Sequence, residues 1–241
     1  MVALLSTERK PEMIKLRTIA HQVAYWTLPL GIRKFLKNFA FLRNLARSRL
    51  SQQERLILQR NRVLHNRHAG ERCFILATGP SIKKQNLKLL QGENCIAVSN
   101  FFLHPDFALL KPRYYCIAPY HHPITEKAWH AWMKELDNKT GKSVMFFALR
   151  DRKRTGGHGF FVDRQVHYFH AAEANDDKTI ATHGIDLTGL ILPLYSVTHV
   201  ALQIALYMGF QQIYLLGCDH SRIFDLNQGI HFYKNEEENA L

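Results

Sequence analysis

The sequence predicts an α/β fold built on a mostly parallel sheet, and three observations lead to that prediction. Five short runs of consecutive apolar residues are spread over positions 72–217. Segments with the apolar spacing of helices separate several of these runs. Glycine and small polar residues follow the runs, where turns are expected. Uninterrupted apolar strands joined by helices indicate a sheet covered on both faces, a Rossmann-like arrangement.

The elements follow in order along the chain. We predict strands over residues 72–78, 95–99, 113–118, 143–148 and 212–217. We predict helices over residues 81–90, 123–137 and 196–209, with Thr125 capping the second and Gly141 closing it. Residues 150–159 (RDRKRTGGHG) have the composition of a polar, flexible loop, and residues 160–170 (FFVDRQVHYFH) suggest an additional strand. We expect a mobile region or lid within residues 150–194.

Basic N-terminal helices precede this α/β domain. The formal net charge is +12, and residues 1–70 hold 14 Lys or Arg against three Glu, whereas the remaining 171 residues are close to neutral. Residues 12–66 have the spacing of amphipathic helices, and Ser51 is placed to cap one that starts at Gln52. We therefore divide the chain into a basic helical segment, residues 1–70, and a main domain, residues 71–241.

Two interpretations of the basic segment stay open. Basic amphipathic helices suit an anionic membrane surface. The same pattern is expected if the apolar faces pack on the core or on a neighbouring subunit of a homo-oligomer. Nucleic acid is not an expected partner, because no stacking platform or nucleic-acid-binding motif accompanies the charge.

The cysteines and the first residues of the chain indicate the cellular compartment that we expect for the protein. Cys73, Cys95, Cys116 and Cys218 each lie in an apolar run without metal-binding spacing, so we expect reduced core residues and a cytoplasmic protein. The first residues lack the pattern of a signal peptide. Residues 18–32 are too short and too interrupted for a transmembrane helix.

Three polar clusters fall at predicted strand ends, where ligands of parallel sheets bind. The first is the turn Thr78-Gly79-Pro80-Ser81, whose glycine allows close approach and whose serine can cap a helix that favours an anion. Taken alone, this turn is better explained as a simple chain reversal. The second cluster is Ser99-Asn100, and the third contains Gly217, Asp219, His220 and Ser221. Together the three clusters outline one nucleotide-sized cleft.

Several stretches recur, in this order, in a known group of proteins. They are FILATGPSI, IAVSNFF, SVTHVALQIALYMGFQQIYLLGCDH and IHFY. The chain resembles bacterial sialyltransferases of glycosyltransferase family 42, which have a Gly-x-Gly-Pro-Ser turn, an Asn-x-Phe strand end and a Ser-Gly-x-Asp strand end. It is also similar to the wider superfamily of that fold, which includes pterin diphosphokinase-like proteins. The resemblance covers roughly residues 70–233 and is strongest at its two ends.

The resemblance implies a role for individual residues. Gly79, Pro80 and Ser81, with Thr78 before them, would line the nucleotide phosphate. Asn100 would hold the cytidine–ribose–phosphate part of a CMP-sugar, and Ser196 would begin the helix that closes on this donor. Gly217 and Asp219 would flank the nucleotide. His231 would be the general base that deprotonates the acceptor hydroxyl, in a reaction that inverts the anomeric centre without a divalent cation.

The sequence departs from the family pattern at two positions in the site. Thr78 stands where the turn usually has Asn. Ser221 stands where the sialyltransferases have a tyrosine that stabilises the departing phosphate, a task that His220, Arg222 or Tyr233 would then share. The catalytic candidates are thus His231, Ser221 and Tyr233. The chain also ends soon after His231, which suggests an abbreviated acceptor-binding part or a truncated product.

The histidines do not indicate a metal site. The chain has 14 of them, and the groupings His121-His122, His167 with His170, and His199 lack the spacing of known zinc motifs. We therefore expect no metal and no cofactor besides the nucleotide-sugar.

Three functional hypotheses follow from these observations. The first is an inverting, metal-independent, sialyltransferase-like glycosyltransferase that builds a bacterial surface polysaccharide or lipooligosaccharide. It would take a nucleotide-sugar, a CMP-sugar, and a glycan or glycolipid acceptor. It would work in the cytoplasm, peripherally on the inner face of the cell membrane, attached through residues 12–66. The second is a diphosphokinase-like enzyme that uses ATP and Mg²⁺. The third is a non-catalytic, membrane-associated protein of the same fold.

Overall fold

The computed structural model describes residues 50–121, 123–172, 184–192, 195–219 and 231–233. Numbered in chain order, the described strands are Arg72–Leu76 (β1), Cys95–Val98 (β2), Tyr114–Cys116 (β3), Val144–Ala148 (β4), Val166–Ala171 (β5), Leu190–Ile191 (β6) and Gln212–Leu216 (β7). The described α-helices are Gln52–Gln59 (α1), Phe107–Leu110 (α2), Glu126–Lys139 (α3), Arg152–Gly156 (α4) and Val197–Tyr207 (α5). Short 3₁₀ turns cover Arg60–Leu64, Pro80–Lys84, Leu87–Leu90, Ser99–Leu103 and Leu149–Asp151.

The seven strands form one parallel sheet, in the order β6-β5-β4-β3-β2-β1-β7. The predicted parallel sheet is thus confirmed, as are the five predicted strands and the additional one, which is β5. The two-residue strand β6 was not predicted, because two apolar residues are too few to form a recognisable pattern.

Helices cover both faces of the sheet, as predicted. On one face, Cys73 and Ile75 of β1 pack in a cluster with Val200 and Ile204 of α5. On the other face, Leu76 packs in a cluster that includes Trp132 and Met133 of α3. Successive strand residues alternate between the two clusters, and both sides are apolar. This explains why the strands appear in the sequence as continuous apolar runs.

The cysteines occupy the sheet as expected. Cys73, Cys95 and Cys116 are buried free thiols, one on each of β1, β2 and β3, and Cys218 is partly buried just after β7. Burial raises the pKa of Cys73 and of Cys95 to about 12, and it raises the pKa of Cys116 further.

The described part of the basic segment packs on the sheet domain. Ser51 caps α1 as predicted, since Ser51 N donates to Glu54 Oε2 at 2.8 Å and Glu54 N donates to Ser51 Oγ at 3.3 Å. Leu58 and Leu64 are fully buried, and Asn61 Nδ2 donates to Tyr168 O of β5 at 2.7 Å. One side of this helix therefore belongs to the core. Residues 12–49 lie outside the described residues.

Two helical predictions need correction. Residues 81–90 form two 3₁₀ turns instead of one helix, because Gln85 and Asn86 are not helical (ψ 139° and 86°). The break lets Ile82, Leu87 and Leu90 all reach the core of the α3 face. Residues 150–159 are not a plain loop, since they contain the end of a 3₁₀ turn and α4. The predicted lid stays a prediction, because residues 173–183 and 193–194 lie outside the described ranges.

Among the described residues, no helix combines the length and the apolar character that crossing a membrane requires.

Candidate functional site

The carboxyl ends of β1 and β7 meet where the sheet changes its winding direction. β2 lies on one side of β1 and β7 on the other. The chain leaves β1 along the face covered by α3 and reaches β7 along the face covered by α5. The two connections diverge above these strand ends, and ligands of open α/β sheets bind in the crevice at such a point. The predicted cluster Thr78–Ser81 follows β1, and the predicted cluster Gly217–Asp219 follows β7.

The turn after β1 is bonded to the end of β7. Gly79 N donates to Gly217 O at 2.8 Å, and Ile82 N donates to Gly79 O at 3.2 Å. Ser81 N donates to Asp219 Oδ2 at 2.6 Å, and Ser81 Oγ donates to Oδ1 of the same carboxylate. Pro80 has no N–H to offer. The donors at the start of this turn are therefore engaged within the protein, and the two from Ser81 bond the Asp219 carboxylate.

Glycine is required at both contact points. A Cβ on Gly79 would lie 2.5 Å from Gly217 O and 2.7 Å from Asp219 Oδ2. Gly217 has a φ of +66°, and a Cβ there would lie 2.7 Å from Ala77 O. Both loops approach more closely than a side chain permits, so the two glycines set the geometry of the crevice.

Residues 231–233 connect the ends of β1 and β2. Phe232 N donates to Thr78 O at 2.7 Å. His231 Nδ1 lies 2.8 Å from Thr78 Oγ1, and Asn100 Nδ2 donates to the Tyr233 hydroxyl at 3.3 Å. The rings of His231 and Tyr233 stack with centroids 4.9 Å apart and planes 3° apart. The structure therefore brings together four of the predicted site residues: Thr78, Asn100, His231 and Tyr233.

Asn100 is buried and only partly satisfied. Its side chain is 6% exposed, and Asn100 Oδ1 has no hydrogen-bond partner among the described residues. A buried polar atom without a partner costs roughly 1–3 kcal/mol. An amide oxygen accepts hydrogen bonds, so the site fits a ligand that brings a hydroxyl or amino group to this atom.

Tyr115 fixes the turn that carries Asn100, and the sequence did not point to it. Tyr115 OH donates to Ser99 O at 2.7 Å and accepts from Phe102 N at 3.0 Å. Ser99 itself has a φ of +48°, which is unusual for a residue other than glycine. Burial raises the pKa of the Tyr115 phenol well above its ordinary value, so this donor keeps its proton. In the sequence, Tyr115 is indistinguishable from any other core aromatic.

His104 and Lys83 are two further neighbours that the sequence did not single out. The His104 ring packs on Phe232 with centroids 5.3 Å apart, and its Nδ1 accepts from Asp106 N at 3.2 Å. Burial lowers the pKa of His104, and the charge of Asp106 opposes part of that shift. Lys83 is exposed and belongs to the Pro80–Lys84 turn, directly after the Thr78–Ser81 cluster.

Ser196 lies at the start of α5, as predicted. Its hydroxyl accepts from His199 N at 3.4 Å and caps the helix. Val197 of this helix and Cys218, just after β7, pack against the same core cluster, and burial raises the pKa of the Cys218 thiol. The described hydrogen bonds of Ser196 are with His199 of the same helix and do not reach the residues at the ends of β1 and β2.

The remaining catalytic candidate cannot be placed. Ser221, with His220 and Arg222, falls in residues 220–230, outside the described residues. Within the described ranges, no three or more His, Cys, Asp or Glu side chains are grouped so that they could bind a metal ion.

Comparisons with known proteins give a structural likeness. No family model matches the chain, and no curated protein matches it. Among solved structures, it is similar to the sialyltransferase CstII from Campylobacter jejuni in complex with a substrate analogue, CMP-3FNeuAc. The identity is 16% and the TM-score 0.42, over 70% of this chain and 66% of the other, just under two thirds of its length. A second CstII structure, in complex with cytidine-5′-monophosphate, is 17% identical with a TM-score of 0.38, over 71% of this chain and 74% of the other.

Proposed function

We propose that this protein is an inverting, metal-independent glycosyltransferase of the sialyltransferase-like type, with a CMP-sugar as its donor. The observation that carries the proposal is the junction formed by residues 231–233. An imidazole and a phenol lie there at the ends of β1 and β2, beside the buried Asn100 Oδ1, which has no hydrogen-bond partner among the described residues. The ordered motifs of the sequence, with their resemblance to family 42, supply the choice of reaction and nucleotide.

In the proposed reaction, the acceptor hydroxyl loses its proton to His231 and attacks the anomeric carbon. The bond from that carbon to the phosphate oxygen breaks, and CMP departs with the bonding electrons. His231 Nδ1 contacts Thr78 Oγ1, so the proposal assigns the proton transfer to Nε2, with Nδ1–H donating to Thr78. An imidazole titrates near neutrality and suits this role.

The other site residues serve the donor in this proposal. Asn100 Oδ1 accepts from the nucleotide, and Lys83 offers positive charge to the phosphate. Tyr233 and Ser221 donate to the departing phosphate. Asp219 acts indirectly, because its carboxylate holds Ser81 and thereby shapes the turn that lines the phosphate. A glycan or glycolipid of a bacterial surface polysaccharide is the proposed acceptor.

Nucleotide binding is the first test. We expect CMP to raise the melting temperature of the full chain without Mg²⁺, and UDP, GDP and ATP to have smaller effects. Asn100→Ala should weaken CMP binding about 10-fold, since one hydrogen bond in the site is lost. Gln91→Ala, an exposed position away from the crevice, is the matched control. Stabilisation by ATP alone, and only with Mg²⁺, would instead favour the diphosphokinase-like alternative.

The role of His231 is tested by CMP release from CMP-N-acetylneuraminate with a panel of glycan acceptors. His231→Ala should lower the rate about 100-fold or more, because a general base is lost, while CMP binding is retained. His158→Ala, at an exposed histidine, should keep the wild-type rate. Full activity of His231→Ala would overturn the mechanism.

A further inference from the structure

An exposed basic face lies on the described part of the N-terminal segment. It consists of Arg55, Leu56, Arg60, Arg62 and Val63, which we call the arginine face. The opposite side of the same segment, with Leu58, Asn61 and Leu64, is buried against the domain. The arginine face is therefore the solvent side of an element whose position is fixed by the core.

Two apolar side chains stand exposed among these arginines. Leu56 is 62% exposed and Val63 is 66% exposed. Leu56 lies in α1, and Val63 lies in the 3₁₀ turn of residues 60–64 that follows it. Scattered exposed aliphatic residues are common on protein surfaces. Here, however, both lie in the same short segment as the exposed Arg55, Arg60 and Arg62.

Among the described residues, the arginines of this face form no ion pair. Residues 50–70 contain four arginines and one acidic residue, Glu54. The Glu54 carboxylate turns back to accept from Ser51 N and Ser51 Oγ, both at 2.8 Å. The Asp186 carboxylate accepts hydrogen bonds from Thr188 N and Thr188 Oγ1, both at 2.8 Å. The ion pairs of arginines among the described residues involve Arg72, Arg154 and Arg164.

The positive charge of the arginine face determines which kind of partner can bind there. A second copy of the chain would bring the same arginines against each other. Residues 1–49 contain ten Lys or Arg and two Glu, so this part of the chain is also positively charged. The partner must be anionic. Exposed aliphatic side chains favour a lipid surface over nucleic acid, because they insert at the acyl boundary of a bilayer, whereas nucleic-acid binding relies on phosphate contacts and aromatic stacking.

We propose that the arginine face docks on an anionic lipid bilayer, with its arginines at the headgroup phosphates and Leu56 and Val63 at the acyl boundary. The positive charge of residues 1–49 adds to the attraction to the same surface. The docking does not depend on the proposed transfer reaction, so either can fail without the other.

Co-sedimentation of the full chain with vesicles tests the proposal. We expect binding to vesicles of phosphatidylcholine with 30% phosphatidylglycerol, little binding to pure phosphatidylcholine, and weaker binding in 1 M NaCl, where charges are screened. Arg55→Glu with Arg62→Glu should lower the vesicle affinity about 10-fold or more. Lys84→Glu with Lys88→Glu makes the same change of charge at exposed residues elsewhere on the domain, and it should have a smaller effect. Equal losses in the two double variants would overturn the proposal.

Leu56→Ser with Val63→Ser separates a lipid surface from nucleic acid. This variant should bind the anionic vesicles several-fold less tightly and should leave any binding to a 20-base-pair DNA duplex unchanged. Vesicle binding at the wild-type level, or equally tight binding to pure phosphatidylcholine, would contradict docking through this face. All the substituted side chains are exposed, so the melting temperatures of the variants should stay close to that of the wild type, which shows that each variant is folded.

Discussion

At the residue scale, the crevice depends on two glycines that let the loops after β1 and β7 touch. The backbone of Gly79 bonds to Gly217, and Gly217 takes a left-handed φ of +66°. The Asp219 carboxylate then reaches Ser81. The geometry of the crevice therefore rests on the absence of side chains at these two positions.

Gly79→Ala tests this dependence. The added Cβ would meet backbone and carboxylate atoms at 2.5–2.8 Å, so the loops must separate and the Ser81–Asp219 bonds are strained. We expect the free energy of unfolding to fall by about 2 kcal/mol or more, measured by urea denaturation. Gly156→Ala is the control, because a Cβ there meets nothing within 4 Å and its φ is not left-handed; its stability should be unchanged or raised by up to about 1 kcal/mol. Equal stabilities of the two variants would contradict the argument.

The sequence could predict the location of the site but not its contacts. The clusters at residues 78–81, 99–100 and 217–219 were recognisable because the carboxyl ends of parallel strands lie at one edge. The contact of Ser81 with Asp219 joins residues 138 positions apart, and that of Thr78 with His231 joins residues 153 positions apart. No local pattern encodes such pairs, so the sequence could not show that Ser81 donates to the Asp219 carboxylate.

At the element scale, one side chain fastens the N-terminal segment to the sheet. Asn61 Nδ2 donates to Tyr168 O and to Leu187 O, both at 2.7 Å, and Asn61 Oδ1 lies 2.9 Å from His167 Nδ1. Asn61 is 1% exposed. The 3₁₀ turn of residues 60–64 is thereby held against β5 and against the chain before β6.

Asn61→Ala should loosen this connection. It leaves two buried carbonyl groups and a histidine nitrogen without partners, so we expect the free energy of unfolding to fall by about 2–4 kcal/mol. Relative to the wild type, the rate of hydrogen exchange should increase more in residues 52–64 than in β1, β2 and β3. Gln59→Ala, on the outward side, should change stability by less than about 0.5 kcal/mol. Unchanged exchange in the Asn61 variant would show that packing of Leu58 and Leu64 alone holds the segment.

Periodicity predicted the strands and the long helices better than the short connections. Thr125 caps α3 as predicted, and Ser196, at the predicted start of the last helix, caps α5. Residues 81–90 satisfied a helical pattern because Ile82, Leu87 and Leu90 are all inward-facing. Their side chains instead reach the core from two turns separated by a non-helical break. Such a break depends on the distance between strand ends. That distance is set by the tertiary structure and is not visible in the local sequence.

At the scale of the whole molecule, buried His167 makes the stability of the fold depend on pH. Burial, with a further contribution from Arg67, lowers the pKa of His167 from 6.5 to about 4. The folded state thus favours the neutral imidazole, whereas the unfolded chain takes up a proton near pH 6.5. The stabilisation is complete above that pH and is lost as the pH falls toward 4.

Between pH 7 and pH 5, we expect this group to remove about 2 kcal/mol from the free energy of unfolding. The measurement is urea denaturation of the wild type and of His167→Gln at both pH values. The loss in the wild type should exceed that in the variant by about this amount. Asp151 acts in the opposite sense, because burial raises its pKa, but it is present in both proteins and cancels in the comparison. Parallel pH profiles would show that His167 is not the responsible group.

The three adjacent central strands each carry a buried thiol with a raised pKa. Because the thiolate is the form that attacks alkylating reagents, these cysteines stay unreactive as long as the strands remain together. Alkylation at the centre of the sheet must therefore wait for the strands to part, and its rate reports how often they do so. The alkylation rate of Cys73, Cys95 and Cys116 would therefore measure the opening of β1, β2 and β3 directly.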